Sequence, residues 1–347
     1  MSYTNKALCK LRTITTFLSL SPDRQTWQAE IAQASKFCAE LSAKFLQQGY
    51  SVQSLRIVTN PFGEYLDTQS IDSASADLRF LSELLTASDQ TGIRIRFAVG
   101  EARTPNEIEI LPQLVREFGD LCNVCVNIDI DEAGILNNEL IQLSAQAVKK
   151  ISSITPRGEG NFNFTVNFNC DPLIPYFPAS YHRTELGKRF VIGLETPDLL
   201  LHVLKQLNQT IDSRDHNVRF KAYQQAMSAA LQFHILQIKN IIDQSGIEMP
   251  FTFSGFDSSA APSKNCASMV ELYQQMGVEY FGASGTVEAS SLLTRVFRSV
   301  KDVDLVGFSG LMLALTEDTG LAHGTISSNF DIRSLLTYSA VCGIGLD

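Results

Sequence analysis

Residues 161–170, NFNFTVNFNC, alternate without interruption between polar and apolar side chains. Successive side chains of a β-strand point to opposite faces, so the segment predicts a strand with one amide-and-hydroxyl face and one apolar face. The next residues, DPLIPYFPASYH, carry three prolines, two tyrosines and a histidine. A strand that leads into such a loop indicates a strand end where a site is built. An edge strand with a solvated polar row is the alternative.

Before this segment, predicted strands alternate with predicted helices. Thr104 and Glu107 form a capping box around Pro105, which predicts a helix through Phe118. The other predicted elements are strands at 11–20, 52–59, 93–99 and 122–130 and helices at 22–49, 77–85 and 139–151. This alternation predicts a parallel sheet with right-handed crossovers.

The second half changes rhythm. Its predicted elements are strands at 190–194 and 251–256, an apolar segment at 305–315, and helices at 197–207, 220–244, 267–276, 287–300 and 332–341. The helix at 220–244 has a wide apolar stripe, typical of an outer barrel helix or of a dimer contact. No low-complexity linker interrupts the chain, so we predict one domain over residues 1–347.

Two of the predicted strands are polar on one face. Arg94 and Arg96 share a parity in 93–99, and Asn127 and Asp129 share one in 122–130. Parallel strands covered by helices on both faces would be apolar on both. Half-polar strands therefore predict helices on one side only and a polar interior, as in a closed α/β barrel with a hydrated lumen. Mutual ion pairing is the alternative to substrate contact for these charges.

Composition narrows the partners. The chain has 347 residues, a formal net charge of −9 and a sequence pI near 5.1, without a Lys/Arg cluster. Nucleic acid and anionic membranes are therefore unlikely partners. The seven cysteines are scattered, the start lacks a signal-peptide pattern, and no apolar run approaches the ~20 residues of a bilayer span. We therefore expect a cytoplasmic protein with reduced thiols.

Several motifs resemble the DUF711 family, also called UPF0210. They are RTIT (12–15), GYSVQSLRIVTNPF (49–62), FPASYH (177–182), GLE (193–195), FSGFDSSAAPS (253–263), FGASGT (281–286), SGLMLALTEDTGLA (309–322) and LLTYSAVCGIGLD (335–347). The resemblance covers nearly the whole chain. It implies a fold similar to the ten-stranded α/β barrel of glycyl radical enzymes such as pyruvate formate-lyase, with helices outside. The family has no settled activity, so the resemblance implies a fold rather than a function.

The chain departs from that pattern in two places. Family members usually continue after the cysteine motif with a Pro-rich TVPLPGD-like segment, whereas this sequence stops at Asp347. We therefore expect the family's C-terminal extension to be missing. The sequence also lacks the Arg-Val-x-Gly-Tyr type loop that stores the radical in true glycyl radical enzymes. The radical mechanism is therefore not carried over, and the cofactor is left unknown.

His182, Glu195 and Asp257 follow the ends of predicted strands. They have the chemistry for general acid–base catalysis or for a divalent metal. Parallel strands end together, so we predict that these residues converge at one mouth of the barrel. If the second-half strands run antiparallel to the first half, the two sets open at opposite mouths. Glu195 has a further alternative, as a carboxylate near the start of the helix after Thr196.

Cys342 is the fourth catalytic candidate, between a helix end and a Gly-x-Gly turn. A helix C-terminus disfavours a thiolate, so Cys342 is a poor nucleophile, although a thiyl-radical step would need a neutral thiol. A small residue packed beside a tight turn is the favoured alternative. Cys122 and Cys125 are excluded as a metal pair, because an i,i+3 pair in a strand points to opposite faces.

Candidate ligand-binding residues fall into three groups. Arg94, Arg96 and the turn with Ser284 and Thr286 would hold an anion, since such a turn before a helix exposes free amides. An ordinary Thr-capped helix start is the alternative for the turn. The side chains expected to line the site are Asn167, Asn169 and Tyr181, and the candidate metal ligands are Glu317 and Asp318.

Together these patterns predict an enzyme that acts on a small polar or anionic metabolite inside the barrel, in a homo-oligomeric protein. The alternatives are a non-catalytic small-molecule sensor and a structural interaction subunit. An open cavity that reaches His182 and Asp257 would favour the enzyme or the sensor. An interior filled by the chain itself would favour the structural subunit.

Overall fold

The computed structural model describes residues 2–88 and 93–346. Seven strands form one curled sheet in the order β5-β4-β3-β2-β1-β6-β7. Their bounds are Lys10–Leu18 (β1), Leu55–Thr59 (β2), Ile95–Glu101 (β3), Asn123–Ile128 (β4), Phe164–Phe168 (β5), Arg189–Glu195 (β6) and Thr252–Asp257 (β7). The predicted mixture of strands and helices is confirmed. The sheet has seven strands in the described part of the chain, where the family resemblance implies a closed barrel of ten.

The helices follow the strands closely in the first half and cluster in the second. They are Trp27–Gln47 (α1), Ile71–Ala87 (α2), Pro105–Phe118 (α3), Asn138–Ile154 (α4), Pro197–Thr210 (α5), His216–Asp243 (α6), Met269–Gln275 (α7), Thr286–Phe297 (α8), Thr319–Ile326 (α9) and Ile332–Cys342 (α10). The capping box predicted from Thr104 and Glu107 is present at the start of α3, with both reciprocal hydrogen bonds.

Strand direction divides the sheet into two parts. Strands β1 to β5 are parallel, whereas β6 runs antiparallel to β1 and β7 runs parallel to β6. Lys10, at the start of β1, therefore pairs with Glu195, at the end of β6. The carboxyl ends of β6 and β7 lie at the edge where β1 begins. Of the two topologies considered for the second half, the antiparallel one is confirmed.

The two faces of the sheet differ as the alternating strands predict. Ile14, Phe97, Val126 and Phe164 belong to the hydrophobic core shared with the helices. The opposite face, here named the inner face, carries the other parity of each strand. Asn167 of β5 belongs to it, because its amide donates to the carbonyl of Ala179 in the loop that follows. Phe164 and Asn167 therefore lie on opposite faces, as predicted.

Two loops cover much of the inner face. The first inner loop comprises residues 169–183 and the second comprises residues 306–318. Phe17 and Val191 on the sheet pack with Leu173, Phe177 and Val306 of these loops. The interior over β1, β2 and β6 is therefore filled by the chain itself, where the sequence predicts a hydrated lumen.

Two predicted elements need correction. The strand predicted at 161–170 begins only at Phe164, because Pro156–Asn163 forms 3₁₀ turns that include a left-handed Gly158. Most of the apolar stripe predicted at 220–244 is buried in the core of the protein. The buried stripe residues of α6 are Tyr223, Met227, Ala230, Leu231, His234 and Ile238, whereas Phe220 is half-buried and Leu236 is exposed. This burial fits a helix that packs on the outside of the sheet, and the dimer contact stays a prediction.

Candidate functional site

Three arginines stand near the start of the first three strands. Arg56 and Arg96 are register partners on β2 and β3. Their sequence neighbours Leu55, Ile57 and Phe97 belong to the helix-facing core, so both arginines point to the inner face. Arg12 lies on β1 at the point where the pairing with β6 shifts register. The sheet thus gathers three cations on one surface.

Arg56 is the most buried of the three, with 8% of its surface exposed. Its Nη1 donates to the carbonyl of Pro175 at 3.0 Å, its Nε donates to Ser54 at 3.3 Å, and the guanidinium lies 4.8 Å from the ring of Phe177. Burial, with the positive charges of Arg12 and Arg96, lowers the pKa of Arg56, and the negative charge of Glu317 offsets this only in part. Within residues 2–88 and 93–346, no carboxylate pairs with it. A buried cation with only neutral partners is poorly compensated.

The nearby carboxylates are engaged elsewhere. Glu195, at the end of β6, accepts from Lys10 at 3.1 Å and from Gln53 at 2.7 Å and lies 3.7 Å from Arg12. Glu317 lies 3.5 Å from Arg12 and is half exposed. Arg12 is thus shared between two carboxylates, whereas Arg56 and Arg96 have none in the described chain. The inner face therefore carries an excess of positive charge at this edge.

This arginine cluster, Arg12, Arg56 and Arg96, is open to solvent on one side. Arg96 is exposed, and the side chain of Arg12 keeps 21% of its surface exposed. Arg56 lies at the bottom, beneath Pro175 and Phe177 of the first inner loop. Arg96 is therefore accessible to a solute, while Arg56 has only 8% of its surface exposed. Of the two arginines predicted to hold an anion, Arg96 belongs to the cluster, while Arg94 is exposed just before β3.

Asp257 is fully buried at the end of β7. Its Oδ1 accepts from the backbone N–H groups of Ser259 and Ser309 and its Oδ2 from that of Phe308. Burial raises the pKa of Asp257 to about 6, despite these hydrogen bonds. The carboxylate holds the second inner loop in place, and both of its oxygens accept hydrogen bonds from backbone N–H groups.

His182 lies in the first inner loop, with its ring 6.0 Å from that of Phe17. It is fully buried, and neither ring nitrogen has a hydrogen-bond partner within the described residues. Burial lowers the pKa of His182 to about 4, so the ring is neutral near pH 7. A neutral, enclosed imidazole is in contact with Phe17 rather than with a solvent-filled cavity.

The predicted convergence of His182, Glu195 and Asp257 is wrong for His182. Asp257 pairs with Gly193, which pairs with Thr13 of β1, whereas His182 lies beside Phe17. Four residues of strand separate these two levels, about 13 Å at ~3.3 Å per residue. The physical reason is the antiparallel β6, which places its carboxyl end at the opposite mouth. Glu195 and Asp257 do share a mouth, because Thr196 after β6 donates its N–H to Ala260 after β7.

Cys342 is buried at the last residue of α10, before the left-handed Gly343. Its sulfur accepts from the N–H groups of Ile344 and Gly345, both at 3.3 Å. Its carbonyl accepts from Leu311 of the second inner loop at 2.8 Å. The thiol thus stabilises the turn after the helix, which supports the structural alternative for this residue.

The predicted lining residues serve the first inner loop. Asn167 donates to Ala179, as described above, and the hydroxyl of Tyr181 donates to the carbonyl of Cys170 at 2.5 Å. Asn169 has a left-handed backbone, with φ of 49°, at the point where β5 turns into the loop. These side chains shape the loop rather than the arginine cluster.

The remaining predicted groups are separate from the cluster. Ser284 and Thr286 line a surface cavity of about 720 Å³ at the start of α8, where Thr286 caps its own turn through Ala283 and Gly282. Asp318 is the N-cap of α9 and also accepts from Ser268 and Met269. Its neighbour Glu317 lies near Arg12 instead. Among the described residues, no group of three or more His, Cys, Asp or Glu side chains is arranged to hold a metal.

A second polar cluster lies at the other mouth and was missed. Glu101 ends β3 and is nearly buried, with Arg103 at 3.2 Å and Arg183 at 3.5 Å. Burial raises the pKa of Glu101, against the effect of both arginines. Arg183 also lies 3.8 Å from Asp129 and 5.3 Å from the ring of Tyr181. Here two carboxylates lie beside two arginines, so the charges of this cluster are balanced within the chain.

Arg12 and Arg56 were missed as binding residues as well. Arg56 interrupts the apolar strand 52–59 at a position of opposite parity to Leu55 and Ile57. This single charge on the polar parity was the available signal for a binding residue. In the sequence, Arg12 stands out only as part of the family motif RTIT. Its proximity to Arg56 depends on strand pairing across the sheet, which spacing along the chain does not reveal.

These features define a mixed α/β protein with a curled seven-stranded sheet, helices on one face and a polar inner face. The chain belongs to the DUF711 family, because the family model described as Uncharacterised ACR (DUF711) matches residues 3–347. The resemblance drawn from the motifs is therefore confirmed. Within residues 2–88 and 93–346, no helix has the length and apolar character to cross a membrane.

Curated relatives carry the name UPF0210 protein. The chain is 24% identical over 317 residues to that of Actinobacillus pleuropneumoniae, which covers 88% of this chain and 67% of the relative. It is 24% identical over 245 residues to the relative from Lactobacillus helveticus. That match covers 69% of this chain and 52% of the relative. It is 22% identical over 345 residues to the relative from Carboxydothermus hydrogenoformans. That match covers 95% of this chain and 73% of the relative. The chain therefore spans roughly half to three quarters of the length of these relatives.

Among solved structures, the chain is similar to an anaerobic ribonucleotide reductase from Thermotoga maritima. The match has a TM-score of 0.39 and 9% identity and covers 95% of this chain and 67% of that chain. A likeness at this level supports no conclusion about chemistry.

Proposed function

We propose that this protein binds a small anionic metabolite at the arginine cluster on the inner face of its sheet. The observation that carries the proposal is Arg56, a nearly buried guanidinium with no carboxylate partner in the described chain. A buried cation left uncompensated destabilises the folded state by several kcal/mol relative to a paired one. A bound anion supplies the missing negative charge.

The ligand class follows from the geometry of the donors. A guanidinium presents parallel N–H groups that match the oxygens of a carboxylate or phosphate. Arg56 uses Nε and Nη1 within the protein, which leaves Nη2 for a ligand. Arg96 is its register partner on the next strand, about 4.8 Å away at the backbone, so that both can reach one anionic group. A carboxylate or phosphate monoester of small size fits this arrangement.

The proposal is for a binding protein, and two features support that choice over an enzyme. His182 and Asp257 are both fully buried under the inner loops, and they lie at different mouths of the sheet. Asp257 has its oxygens occupied by backbone N–H groups. Neither group has access to a solute bound at Arg56 and Arg96. Binding without catalysis requires only the cations.

Thermal-shift and calorimetric titrations with inorganic phosphate, acetate and succinate test the proposal. A ligand that binds only the folded protein raises its melting temperature in a saturable way. Loss of a charged hydrogen bond, worth roughly 1.5–3 kcal/mol, weakens affinity about tenfold or more, so we expect that effect from Arg56→Met and from Arg96→Gln. Arg79→Gln, on the exposed side of α2, is the matched control. Equal affinity in all four proteins, or no saturable binding to any probe, would rule the proposal out.

Three finer predictions extend the proposal. Closure into a ten-stranded barrel would need further strands between the edges of β5 and β7, beyond the seven described. A cytoplasmic location is consistent with the reduced, mostly buried cysteines. Self-association remains a prediction, and most of the apolar stripe of α6 is buried in the protein's own core.

A further inference from the structure

The guanidinium of Arg12 is held firmly at one end and loosely at the other. Its Nη1 donates to Gln53 at 3.1 Å and lies 3.7 Å from Glu195, whose side chain is 1% exposed. Its Nη2 instead faces Glu317, whose side chain is 52% exposed, at 3.5 Å. The buried end of the guanidinium is therefore fixed, and the other end points to the exposed side of the arginine cluster.

An irregularity in β1 gives Arg12 this position. The pairing of β1 with β6 shifts register between Leu11 and Thr13, so Arg12 has no register partner on β6. Such bulges re-aim a side chain and are common next to functional sites. Arg12 of β1, Arg56 of β2 and Arg96 of β3 lie on three neighbouring strands. Arg12 and Arg96 therefore stand on either side of Arg56.

Glu317 is a loose partner for Arg12. A hydrogen bond between a guanidinium and a carboxylate is about 2.7–2.9 Å long, and this contact is longer. The turn that carries Glu317 is fixed by other groups, because the next residue, Asp318, caps α9 and accepts from Ser268 and Met269. The side chain of Glu317 can therefore turn away from Arg12 while the second inner loop stays in place.

We infer that the ligand of the arginine cluster is a small dianion, such as a dicarboxylate, whose second carboxylate replaces Glu317 at Arg12. The inference rests on the proposed anion site, in which Arg56 and Arg96 hold the first anionic group. Glu317 shows the chemistry that Arg12 accepts, because it places a carboxylate beside Nη2. A monoanion leaves this loose pair in place, whereas a dianion exchanges it for a bound carboxylate.

The charges of the cluster favour a dianion over a monoanion. Burial and the charges of Arg12 and Arg96 lower the pKa of Arg56, so the three cations lie close enough to act on one another. The carboxylates near Arg12 are Glu195 and Glu317, and Glu195 is shared with a lysine of β1. Without Glu317, the three guanidiniums share part of one carboxylate in the described chain. A dianion compensates them better than a monoanion does.

The spacing of the arginines suits a compact ligand. Thr15 is the register partner of Arg56 on β1. Three residues of strand separate Thr15 from Arg12, about 10 Å at ~3.3 Å per residue. Arginine side chains are long and flexible, so their guanidiniums can approach one another more closely than their backbones do. Short dicarboxylates therefore have the length to contact both ends of the cluster.

Calorimetric titration of the full chain with a series of dicarboxylates tests the inference. The probes are succinate, glutarate and adipate, and monomethyl succinate is the matched monoanion of nearly the same size. An added charged hydrogen bond tightens affinity about tenfold or more. We therefore expect at least one dicarboxylate to bind more tightly than monomethyl succinate by that factor, here named the dianion advantage.

Two variants change the dianion advantage in opposite directions. Arg12→Gln should remove it. Glu317→Gln takes away the competing carboxylate and should increase it by up to about fivefold, the equivalent of an exposed ion pair. Glu317 is half exposed, so this variant keeps the test valid if Arg12→Gln does not fold. Asp243→Asn, which breaks an exposed ion pair with Lys239 at the end of α6, is the control and should leave the advantage unchanged.

The inference would be overturned if none of the three dicarboxylates bound more tightly than monomethyl succinate. An advantage that persisted in Arg12→Gln, or that Glu317→Gln left unchanged, would also overturn it. In these cases, phosphate binding that is lost in Arg56→Met would leave the proposed anion site standing. No saturable binding of any probe would rule out the anion site itself.

Discussion

Oδ1 of Asp257 accepts a hydrogen bond from the backbone N–H of Ser309 at 3.1 Å, across 52 residues of chain. Phe308 donates to the other oxygen at 2.8 Å. A side chain at Gly307 would collide with Oδ2 of Asp257 and with Pro175, so the second inner loop follows the carboxylate closely. Asp257 therefore joins the end of β7 to the second inner loop.

Asp257→Asn should destabilise the protein by about 2–3 kcal/mol. The amide has the shape of the carboxylate, but its NH₂ group faces a backbone N–H that needs an acceptor. A buried donor left unsatisfied costs about 1–3 kcal/mol. Urea denaturation followed by circular dichroism measures the change, with Asp212→Asn, at an exposed position before α6, as the control. A variant as stable as the wild type would show that the loop does not depend on this carboxylate.

His182 predicts a pH dependence of stability. Its pKa in the folded protein is about 4, below the ordinary value of 6.5. The unfolded chain therefore binds the proton more readily, so the free energy of unfolding is highest above pH 6.5 and falls as the pH drops toward 4. Integrated over that interval, the single site contributes up to roughly 3 kcal/mol.

Comparison with His182→Gln isolates this effect, because Asp257 acts in the opposite direction. The pKa of Asp257 is raised from 3.8 to about 6, so its contribution increases as the pH falls through 6. Asp257 is common to both proteins and cancels in the difference. The stability advantage of the wild type over the variant should shrink between pH 7 and pH 4. A difference that is constant with pH would mean that His182 is not held neutral.

Glu195→Gln should lower the free energy of unfolding by about 3 kcal/mol. Glu195 is 1% exposed and lies between Lys10 and Arg12. The other carboxylates of these two cations, Asp198 and Glu317, are more exposed, so removing Glu195 leaves both cations only partly compensated. Thermal denaturation measures the loss. Glu271→Gln, whose partner Lys205 is exposed, is the control and should change stability by less than about 1 kcal/mol. Equal effects in the two variants would contradict the buried network.

Local patterns predicted much of the first half correctly. The capping box of Thr104 and Glu107 and the alternation in Phe164–Phe168 depend on neighbours in sequence, and both appear as expected. The one-sided helical layer also followed from alternation, since each strand has one apolar parity. These features are set by the chemistry of a few consecutive residues.

The arrangement of the site residues depends on strand pairing, which the spacing of residues along the chain does not reveal. The antiparallel pairing of β6 with β1 joins residues more than 170 positions apart and decides which mouth holds Glu195. The alternation of the strands suggested a lumen, but the inner loops fill that space. The Pro-rich sequence of the first inner loop predicted a site but not its position. Arg56 meets Arg96 only because β2 and β3 are neighbours in register.

Arg56→Met should raise the free energy of unfolding of the ligand-free protein by about 1 kcal/mol. Methionine occupies a similar volume beside Phe177 and removes a buried charge that lacks a carboxylate partner. Replacing buried charged groups with apolar ones of similar size is often neutral or stabilising by 1–4 kcal/mol. Urea denaturation in a buffer free of phosphate and carboxylates measures this change.

The opposite result has a distinct meaning. If Arg56→Met lost about 2 kcal/mol or more, its hydrogen bonds to Pro175 and Ser54 would outweigh the cost of the buried charge, and Arg56 would serve to fix the first inner loop. Adding phosphate separates the two cases further. An anion that binds at Arg56 and Arg96 stabilises the wild type increasingly with concentration but leaves Arg56→Met nearly unchanged. A structural Arg56 gives the same phosphate response in both proteins.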